Sequence, residues 1–429
     1  MAQKILPTSY VQPTVHARFP TGKISLVDHS IEQIQPCVIY PESTDLNAHA
    51  PIDFIIHDSA LHYIDLSSIQ LEVSLSLKKP DGAAPGGGEQ VYFTNNLLSS
   101  LFPIRKCYIN NTCVETQYAG NHIGRMKHLL NISNELAKNR GVSRGLFPLE
   151  PTKIDSPITE AVCIANAERK IFSKRGGVIL KGHLELDISS CSMWLLDLCT
   201  FKLSLETASD KVLINSNAAA VAYQTKINSI KLHFNRIKPS TGGFINTTKL
   251  LQKSPIEYLF TKHVLHTELL AAGQSSININ RPFNNRIPHK IYLFMVKQDA
   301  DNGSYTEDPG FYRTNGINNY RVMIDGKTLV DKDIDTARGA VSAFVDSLNA
   351  HNGDHFIPFE MYCKGGFLLV IKTNHSQNNE LSFDQKGNLS IHLKFAGNMA
   401  RNQMIYTFGV VHSTFEITAD RNCITNYTY

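Results

Sequence analysis

An internal repeat constrains the fold of this chain more than any other feature. Residues 106–114 (KCYINNTCV) and 321–329 (RVMIDGKTL) align without a gap. Each segment indicates an apolar strand, a two-residue turn of a type that tolerates positive φ, and a returning strand. A helical pattern follows each hairpin. The order of long strand, loop, hairpin, helix and further strands therefore occurs twice, which predicts two tandem copies of one β-domain.

The two helices are predicted over residues 124–138 and 336–350, with Thr336 as the N-cap of the second. Apolar residues at helical spacing are expected to face a sheet rather than a partner helix. In the first helix these are Met126, Leu129, Leu130, Leu136 and Ala137, and in the second Ala337, Ala340, Val341, Phe344, Val345 and Leu348.

Strand patterns dominate the rest of the chain. Apolar residues alternate with polar ones from Ile69 to Leu77, which is typical of a strand with one buried face. Similar strands are predicted at 200–205, 226–234, 290–296, 367–372, 389–395 and 405–411. The glycines at 86–88 lack the Lys-Ser/Thr of a phosphate-binding loop and predict a flexible loop without anchoring side chains.

The predicted fold is mainly β: two tandem eight-stranded jelly rolls, each with a short inserted helix. The expected domains are an N-terminal arm (1–19), a first jelly roll (20–238) and a second jelly roll (239–429), divided near residues 239–243. A pair of seven-stranded immunoglobulin-like domains is the competing architecture. A helix inserted at the same place in both halves fits that architecture poorly.

The eight cysteines occur singly, without a Cys-x-x-Cys pair, so no zinc or redox motif is predicted. Pairing about the first turn would place Tyr108 opposite Cys113 and Cys107 opposite Val114, which argues against a disulfide between Cys107 and Cys113. The first twenty residues lack a signal-peptide core, and no apolar run approaches the ~18 residues needed to span a bilayer. We expect a soluble intracellular product.

The formal net charge is only +4 over 429 residues, so nucleic acid is not expected to be the main ligand. Cations do gather in the N-terminal arm and just after it, at Lys4, His16, Arg18 and Lys23. This arm could contact DNA weakly, although a solvated tail is the simpler interpretation.

No catalytic, cofactor-binding or metal-binding residue is predicted. The segment from Asp299 to Gly303 is similar to a calcium loop, but its glycine comes one position early, so a turn is expected. His263 and His266, with Glu268 close by, are the nearest approach to a cupin metal site. Residues three apart on a strand point to opposite faces, so these imidazoles should not share a metal. Trp194 lies in an apolar run and is expected in the core.

A family resemblance covers nearly the whole chain from about Pro51. In the second half the similar segments are 271–273, 287–291, 299–305, 322–327, 357–362, 366–371 and 386–395, and in the first half 63–66, 95–102 and 106–114. In order and spacing they resemble the major capsid proteins of Polinton (Maverick) and adintovirus-like eukaryotic DNA viruses. The chain departs from the family at residues 372–374 (KTN), where an aspartate-leucine-threonine is common.

This resemblance implies a structural protein rather than an enzyme. It implies homotrimers that form pseudo-hexameric capsomers of an icosahedral double-stranded DNA virus, with penton and minor capsid proteins as further partners. The protein would reside in the virion, after assembly in the nucleus or cytoplasm of the host. The loop at 86–88 and the insertion at 304–318 would lie at the outer tower or between subunits, and the arm would point inward. A non-viral carbohydrate-binding or cupin-like β-sandwich is the alternative.

Overall fold

The structure, a computed structural model, describes residues 31–47, 50–148, 164–174, 176–216, 222–351, 357–373 and 385–425. The predicted arm (1–19), Cys163 and Asn374 lie outside these ranges. We refer to residues 31–239 as the first half and to residues 256–425 as the second half.

Strands make up most of both halves. In the first half they are β1 (Ile31–Ile39), β2 (Ile52–Ile56), β3 (Tyr63–Lys78), β4 (Val91–Phe93), β5 (Ile104–Ile109), β6 (Thr112–Gln117), β7 (Val178–Gly182), β8 (Phe201–Glu206), β9 (Ile214–Ser216) and β10 (Gln224–Pro239). In the second half they are β11 (Ile256–Leu270), β12 (Ser276–Asn280), β13 (Arg286–Ile287), β14 (Lys290–Lys297), β15 (Tyr312–Arg313), β16 (Ile317–Ile324), β17 (Lys327–Asp333), β18 (Lys364–Gly365), β19 (Leu369–Lys372), β20 (Gln385–Lys386), β21 (Leu389–Phe395), β22 (Gln403–Ile417) and β23 (Cys423–Thr425).

Helices are short and lie in the connections. They are α1 (Leu97–Ser100), α2 (Gly120–Asn131), α3 (Asn134–Arg140), α4 (Ile164–Ser173), α5 (Asp210–Leu213), α6 (Thr241–Lys253), α7 (Gln298–Asp301), α8 (Val341–Ala350) and α9 (Phe359–Tyr362). Single 3₁₀ turns occur at Gly141–Arg144, Ile188–Ser190 and Thr336–Arg338.

Strand order is the same in the two halves. In the first half the sheets run β1-β10-β3-β7 and β2-β8-β5-β6, and in the second they run β11-β22-β14-β19 and β12-β21-β16-β17. If the eight principal strands of each half are numbered along the chain, both halves give 1-8-3-6 and 2-7-4-5. Two four-stranded antiparallel sheets in this order form a jelly roll. The predicted fold class is therefore confirmed.

The repeated hairpins fix one end of each jelly roll. Both residues of each turn, 110–111 and 325–326, have positive φ, as a type I′ turn requires. Tyr108 lies opposite Cys113, as predicted. Cys107, however, lies opposite Glu115 and not Val114, because a β-bulge makes Val114 an extra residue. Both cysteines are free thiols.

The second hairpin contains the same bulge. Val322 lies opposite Val330, and the next pair is Met323 with Thr328, so Leu329 is the extra residue. In the alignment of the two segments, Leu329 corresponds to Val114. The internal repeat therefore extends to an irregularity of the backbone.

The first predicted helix begins four residues early, at Gly120, and it is interrupted. Ile132 is extended, and a second helix starts after Ser133, whose hydroxyl accepts a hydrogen bond from the backbone N–H of Leu136 (3.1 Å). This break changes the helical phase, so Leu136 is 39% exposed. The prediction that Leu136 faces inward was wrong.

The second predicted helix is also broken. Its first turn is a 3₁₀ helix capped by Asp335 rather than by Thr336, and the chain then passes through Gly339 in the left-handed region (φ 85°). After this break α8 buries Ala343, Ser347 and Ala350. Of the residues predicted to face inward, Ala340 is buried, whereas Ala337, Val341 and Val345 are exposed.

The glycine-rich loop is anchored, contrary to the prediction. The ammonium of Lys174 donates hydrogen bonds to the carbonyl oxygens of Gly86 (2.7 Å) and Gly87 (3.0 Å). Because glycine has no side chain, Lys174 can reach the carbonyl oxygens of this loop. Lys174 is far away in the sequence, so the local pattern around the glycines does not reveal this contact.

Candidate functional site

The two halves are joined by buried apolar and polar side chains. Each core contains residues of the other half. The core of the first half includes Tyr258, Phe260, Phe415 and Ile417, from β11 and β22. The core of the second half includes one face of α2, formed by Ile123, Met126, Leu129 and Leu130. This exchange joins the halves more tightly than two separate cores in surface contact.

Aromatic stacking holds the exchanged end of β11 and β22. Tyr258 stacks on Phe415 with ring centroids 4.6 Å apart and planes 1° apart. The hydroxyl of Tyr258 donates a hydrogen bond to the carbonyl oxygen of Trp194 (3.1 Å) and accepts one from the backbone N–H of Leu196 (3.2 Å). Trp194 packs against the same core while partly exposed, in agreement with its predicted packing role.

Helix α2 is placed by a buried guanidinium. Arg105 donates hydrogen bonds to the carbonyl oxygens of Phe102 (2.8 Å), Ser99 (2.8 Å) and Leu184, and to the side chain of Gln117 (3.0 Å). A Cβ at Gly120 would lie 2.8 Å from the guanidinium carbon. Glycine at this position therefore allows the helix to begin against Arg105. Burial lowers the pKa of Arg105 to about 10.

Beside the first hairpin, a carboxylate of the first half meets a histidine of the second half. Asp187 accepts hydrogen bonds from the His263 backbone N–H (2.8 Å) and the ring Nδ1 of His263 lies 2.7 Å from Oδ1 of Asp187. Glu115 accepts from the backbone N–H groups of Asp187 and Ile188 (both 2.8 Å). Lys127 approaches Asp187 at 3.8 Å.

The two carboxylates respond to this environment in opposite directions. Burial and the neighbouring charge of Asp187 raise the pKa of Glu115. Burial alone would also raise the pKa of Asp187, but the charge and hydrogen bonds of His263 outweigh it, so that pKa is lowered. The pair therefore carries its negative charge on Asp187, beside His263 of the second half.

A second set of polar contacts between the halves lies near the start of α2. Nε2 of His122 on α2 lies 3.3 Å from Asp301, whose carboxylate also accepts a hydrogen bond from the Tyr406 hydroxyl (2.8 Å). Burial would raise the pKa of Asp301, but the hydrogen bonds from His122 and Tyr406 together with the charge of His122 lower it. Arg169 on α4 pairs with Asp308 at 3.3 Å.

These contacts decide two predictions about the segment after β14. For residues 299–303 we expected a turn rather than a calcium loop. The structure has a one-turn helix there, α7, and its Asp301 contacts His122 of the first half. The first part of the insertion 304–318 contacts the first half, because Asp308 pairs with Arg169 and the backbone N–H of Ser216 donates to the carbonyl of Tyr305 (2.7 Å). Its predicted role between subunits stays a prediction.

The candidate metal ligands are not brought together. His263 faces Asp187, whereas Nε2 of His266 lies 3.3 Å from Glu268 on its own strand. Among the residues that the structure describes, no three His, Cys, Asp or Glu side chains are arranged to hold a metal ion. In the same residues no helix is long and apolar enough to cross a membrane.

Sequence reasoning missed the polar contacts between the halves. Asp187 and Arg169 were not selected, although each is almost completely buried, and neither was Arg105, which positions α2 from within the first half. The available signal was a charged residue inside an otherwise apolar segment, as at Arg105 and Glu115 in the first hairpin. That signal indicates a buried partner without revealing which one.

Apolar side chains remain exposed on both halves. On the second half, α8 exposes Val341 (52%) and Val345 (43%). On the first half, edge strand β1 exposes Ile34 (54%) and Val38 (48%), and β7 of the same sheet exposes Ile179 (67%). Exposed apolar patches on otherwise polar surfaces are typical of protein interfaces.

The strand order and the tight contact between the two halves define a double jelly-roll protein. Several solved structures that are similar to this chain come from viruses. The Sputnik virophage structure solved by cryo-EM has a TM-score of 0.64 and 12% identity, covering 99% of this chain and 94% of that chain. The mavirus major capsid protein has a TM-score of 0.55 and 10% identity, covering 100% and 97%. The Faustovirus major capsid protein has a TM-score of 0.57 and 7% identity, covering 91% of this chain and 92% of that chain.

Comparisons of the sequence alone identify fewer similar proteins than the comparison of structures. No protein-family model matches the chain. An uncharacterized protein of Caenorhabditis elegans is 19% identical over 376 residues, which cover 81% of this chain and 86% of that protein. At these identities the likeness to the viral structures shows a shared fold.

Proposed function

We propose that the protein is a major capsid protein whose homotrimers form pseudo-hexameric capsomers of an icosahedral double-stranded DNA virus. It would act as a non-catalytic shell subunit in the virion, with penton and minor capsid proteins as neighbours. The sequence segments that resemble Polinton and adintovirus-like capsid proteins support that lineage.

The observation that carries this proposal is the apolar face that α8 leaves exposed. Both α2 and α8 follow the repeated hairpin, and both start from an alanine in the left-handed region, Ala119 (φ 53°) and Ala340 (φ 52°). Helix α2 is buried between the halves, whereas its counterpart α8 exposes Val341 and Val345. Val341 and Val345 correspond to Gly120 and Gly124 of α2, which lie against Arg105 and Ser99 within the chain, so a face that is covered on α2 is left on α8 for another copy to cover. Three copies in a closed ring present six similar jelly rolls.

We further propose the domain division 20–238 and 239–429, with α6 (Thr241–Lys253) at the junction. The lack of a strong net charge supports self-association, since a chain with +4 repels its own copies weakly. The N-terminal arm is proposed to point inward, towards neighbouring subunits or packaged DNA.

Light scattering after size-exclusion chromatography tests the trimer. Three chains of 47.9 kDa give about 144 kDa, and a stable monomer at micromolar concentration would contradict the proposal. Electron microscopy of the purified protein should show particles with a hexagonal outline.

A charge on α8 tests the face. Val345→Asp should leave a folded monomer, because Val345 is already 43% exposed within one chain and a buried carboxylate at an interface is costly. Leu136→Asp, at a similarly exposed apolar position (39%) on α3, is the control and should still form trimers. Equal trimerisation of both variants would exclude the α8 face as the contact.

A further inference from the structure

One sheet of the first half has an open outer face, whereas its counterpart in the second half is covered. The sheets β1-β10-β3-β7 and β11-β22-β14-β19 have the same strand order. In the second half, residues 291–296 of β14 are all buried, so both faces of that sheet are covered. The first half covers one of them, because the ring centroid of His122 on α2 lies 4.4 Å from that of Tyr406 and 5.4 Å from that of Phe294.

Alternation along β3 defines the uncovered face of the first-half sheet, called here the open face. Residues 69, 71, 73 and 75 are buried, whereas Gln70, Glu72 and Ser74 between them are partly exposed. Strand pairing places Val38 of β1 in the row of Gln70, and Ile179 of β7 in the row of Ser74. Both of these apolar side chains are exposed. The open face is therefore polar at its centre and apolar at its two edges.

The centre of the open face carries more positive than negative charge. Glu72 lies in one row with Lys231 of β10 and Lys181 of β7. Its carboxylate is 3.4 Å from the ammonium of Lys231, 3.5 Å from that of Lys181 and 3.0 Å from Nε2 of His233. Burial would raise the pKa of Glu72, but the hydrogen bonds and charges of Lys231 and His233 lower it. Two lysines share one carboxylate, so positive charge remains in this row.

Apolar side chains are also exposed around α8 of the second half. Phe359 lies beside this helix, since its ring centroid is 5.2 Å from that of Phe344 and a Cβ at Gly339 would lie 3.0 Å from its ring. Phe359 is 44% exposed, similar to Val345 and Val341. Three large apolar side chains are thus exposed on and beside one short helix.

Acidic groups border these apolar side chains. The carbonyl oxygen of Asp333 accepts a hydrogen bond from Ser342 of α8 (3.5 Å), and Glu360 directly follows Phe359. In the part of the chain that the structure describes, neither the Asp333 nor the Glu360 carboxylate forms an ion pair. The carboxylates of Asp335 and Asp346 are already paired with cations. We call this combination of Val341, Val345, Phe359, Asp333 and Glu360 the α8 surface.

We propose that the open face of one copy of this chain binds the α8 surface of another copy. The excess of cations on the open face complements the unpaired carboxylates of the α8 surface, and both surfaces expose apolar side chains. This inference rests on the proposed function, because it names the surface that α8 meets in the trimer.

The internal repeat favours a second copy over an unrelated partner. Within one chain, the first half already covers the corresponding sheet of the second half. Contact of the open face with the second half of a neighbour would leave neither sheet uncovered. Each copy carries both surfaces on different halves, so the contact is heterologous and can close into a ring.

A charge on the open face tests the contact in the full chain. Ile179→Asp places a carboxylate against the acidic α8 surface, so the midpoint concentration of trimer assembly should rise at least about tenfold in light scattering over a dilution series. Leu250→Asp on α6 is the matched control, because Leu250 is 61% exposed and Ile179 67%. The control should assemble like the unmodified chain, and both variants should keep its circular dichroism spectrum.

Photo-crosslinking identifies the partner surface directly. With p-benzoylphenylalanine incorporated in place of Ile179, irradiation of purified trimers should join two copies, and mass spectrometry should find the attached peptide within β17, α8 or α9. Trimers of Ile179→Asp at the unmodified concentration would overturn this inference and leave the proposed trimer intact. Cross-links to other segments only, or none between copies, would have the same meaning. A chain that stays monomeric without any substitution would refute both proposals.

Discussion

The Asp187–His263 pair should behave as a clamp between the two halves, and a double-mutant cycle can measure it. The cycle consists of Asp187→Ala, His263→Ala and the double variant. The two side chains are 1% and 9% exposed, and their closest atoms are 2.7 Å apart. Each single variant removes one partner of a buried, hydrogen-bonded pair.

The expected magnitudes follow from the contacts. Asp187→Ala removes the acceptor for both the ring and the backbone N–H of His263, and losing one partner of a buried pair costs about 3–5 kcal/mol. Relief of Glu115 from a neighbouring charge offsets part of this, which favours the lower value. His263→Ala keeps the backbone hydrogen bond and should cost about 2 kcal/mol. The interaction energy should be about 2 kcal/mol, within the range for residues in contact.

Urea unfolding followed by tryptophan fluorescence provides the assay, at one fixed protein concentration. Trp194 is the only tryptophan of the chain, and its carbonyl oxygen accepts a hydrogen bond from Tyr258 on the same strand as His263. The signal therefore reports separation of the halves as well as unfolding.

The matched control is the exposed pair Arg321–Asp331. Its closest atoms are also 2.7 Å apart, but the side chains are 46% and 37% exposed. Solvent screening should limit its interaction energy to less than about 1 kcal/mol. If the Asp187–His263 cycle gave a value no larger than this control, the inference that burial turns this pair into a clamp would be refuted.

Three further predictions concern the same region. Because the pKa of Glu115 is raised, the folded state keeps a proton that the unfolded state releases. Stability should therefore fall as pH rises from the ordinary glutamate range through the folded pKa. Glu115→Gln should reduce this pH dependence in thermal midpoints measured from pH 5 to pH 8. Phe415→Ala should lower the unfolding free energy by about 3–5 kcal/mol, because the ring is fully buried; a loss below 1 kcal/mol in urea unfolding would contradict its assignment to the first core. Gly124→Ala should cost about 1–3 kcal/mol by the same assay, since its Cβ would lie 2.5 Å from the Ser99 side chain, whereas Gly242→Ala on α6 has open space and should be neutral or stabilising.

Much of the fold was accessible from the sequence because the chain repeats itself. The aligned hairpins at 106–114 and 321–329 share a turn type that only a few residue pairs adopt, so one local pattern predicted the same structure twice. The strand from Ile69 was accessible because burial of one face leaves a period of two, and the strand from Lys290 because burial of both faces leaves a short continuous apolar run.

The errors have local physical causes. Leu136, Val341 and Val345 were assigned to buried faces by extending one helical period across residues 124–138 and 336–350. Ile132 and Gly339 interrupt those periods, and each interruption rotates the face that follows. A bulge such as that at Val114 depends on the twist of paired strands, and the pattern of one strand does not contain it.

The contact between the halves was inaccessible for another reason. Asp187 and His263 are 76 residues apart and belong to different jelly rolls. His263 was considered only as a metal ligand together with His266, because His266 is close to it in the sequence. Its actual partner, Asp187, is close only in the folded structure. Buried ion pairs between domains leave no periodicity.

The differences between the two copies are as informative as their similarity. Helices α2 and α8 begin from equivalent alanines, yet α2 has glycines at 120 and 124 where it approaches Arg105 and Ser99, and it buries its apolar face in the other half. Helix α8 has Val341 and Val345 at those two positions counted from the alanine, and both are exposed. A helix free of any partner would be expected to carry polar residues there. Valine at both positions is explained if this copy of the helix meets its partner in another molecule.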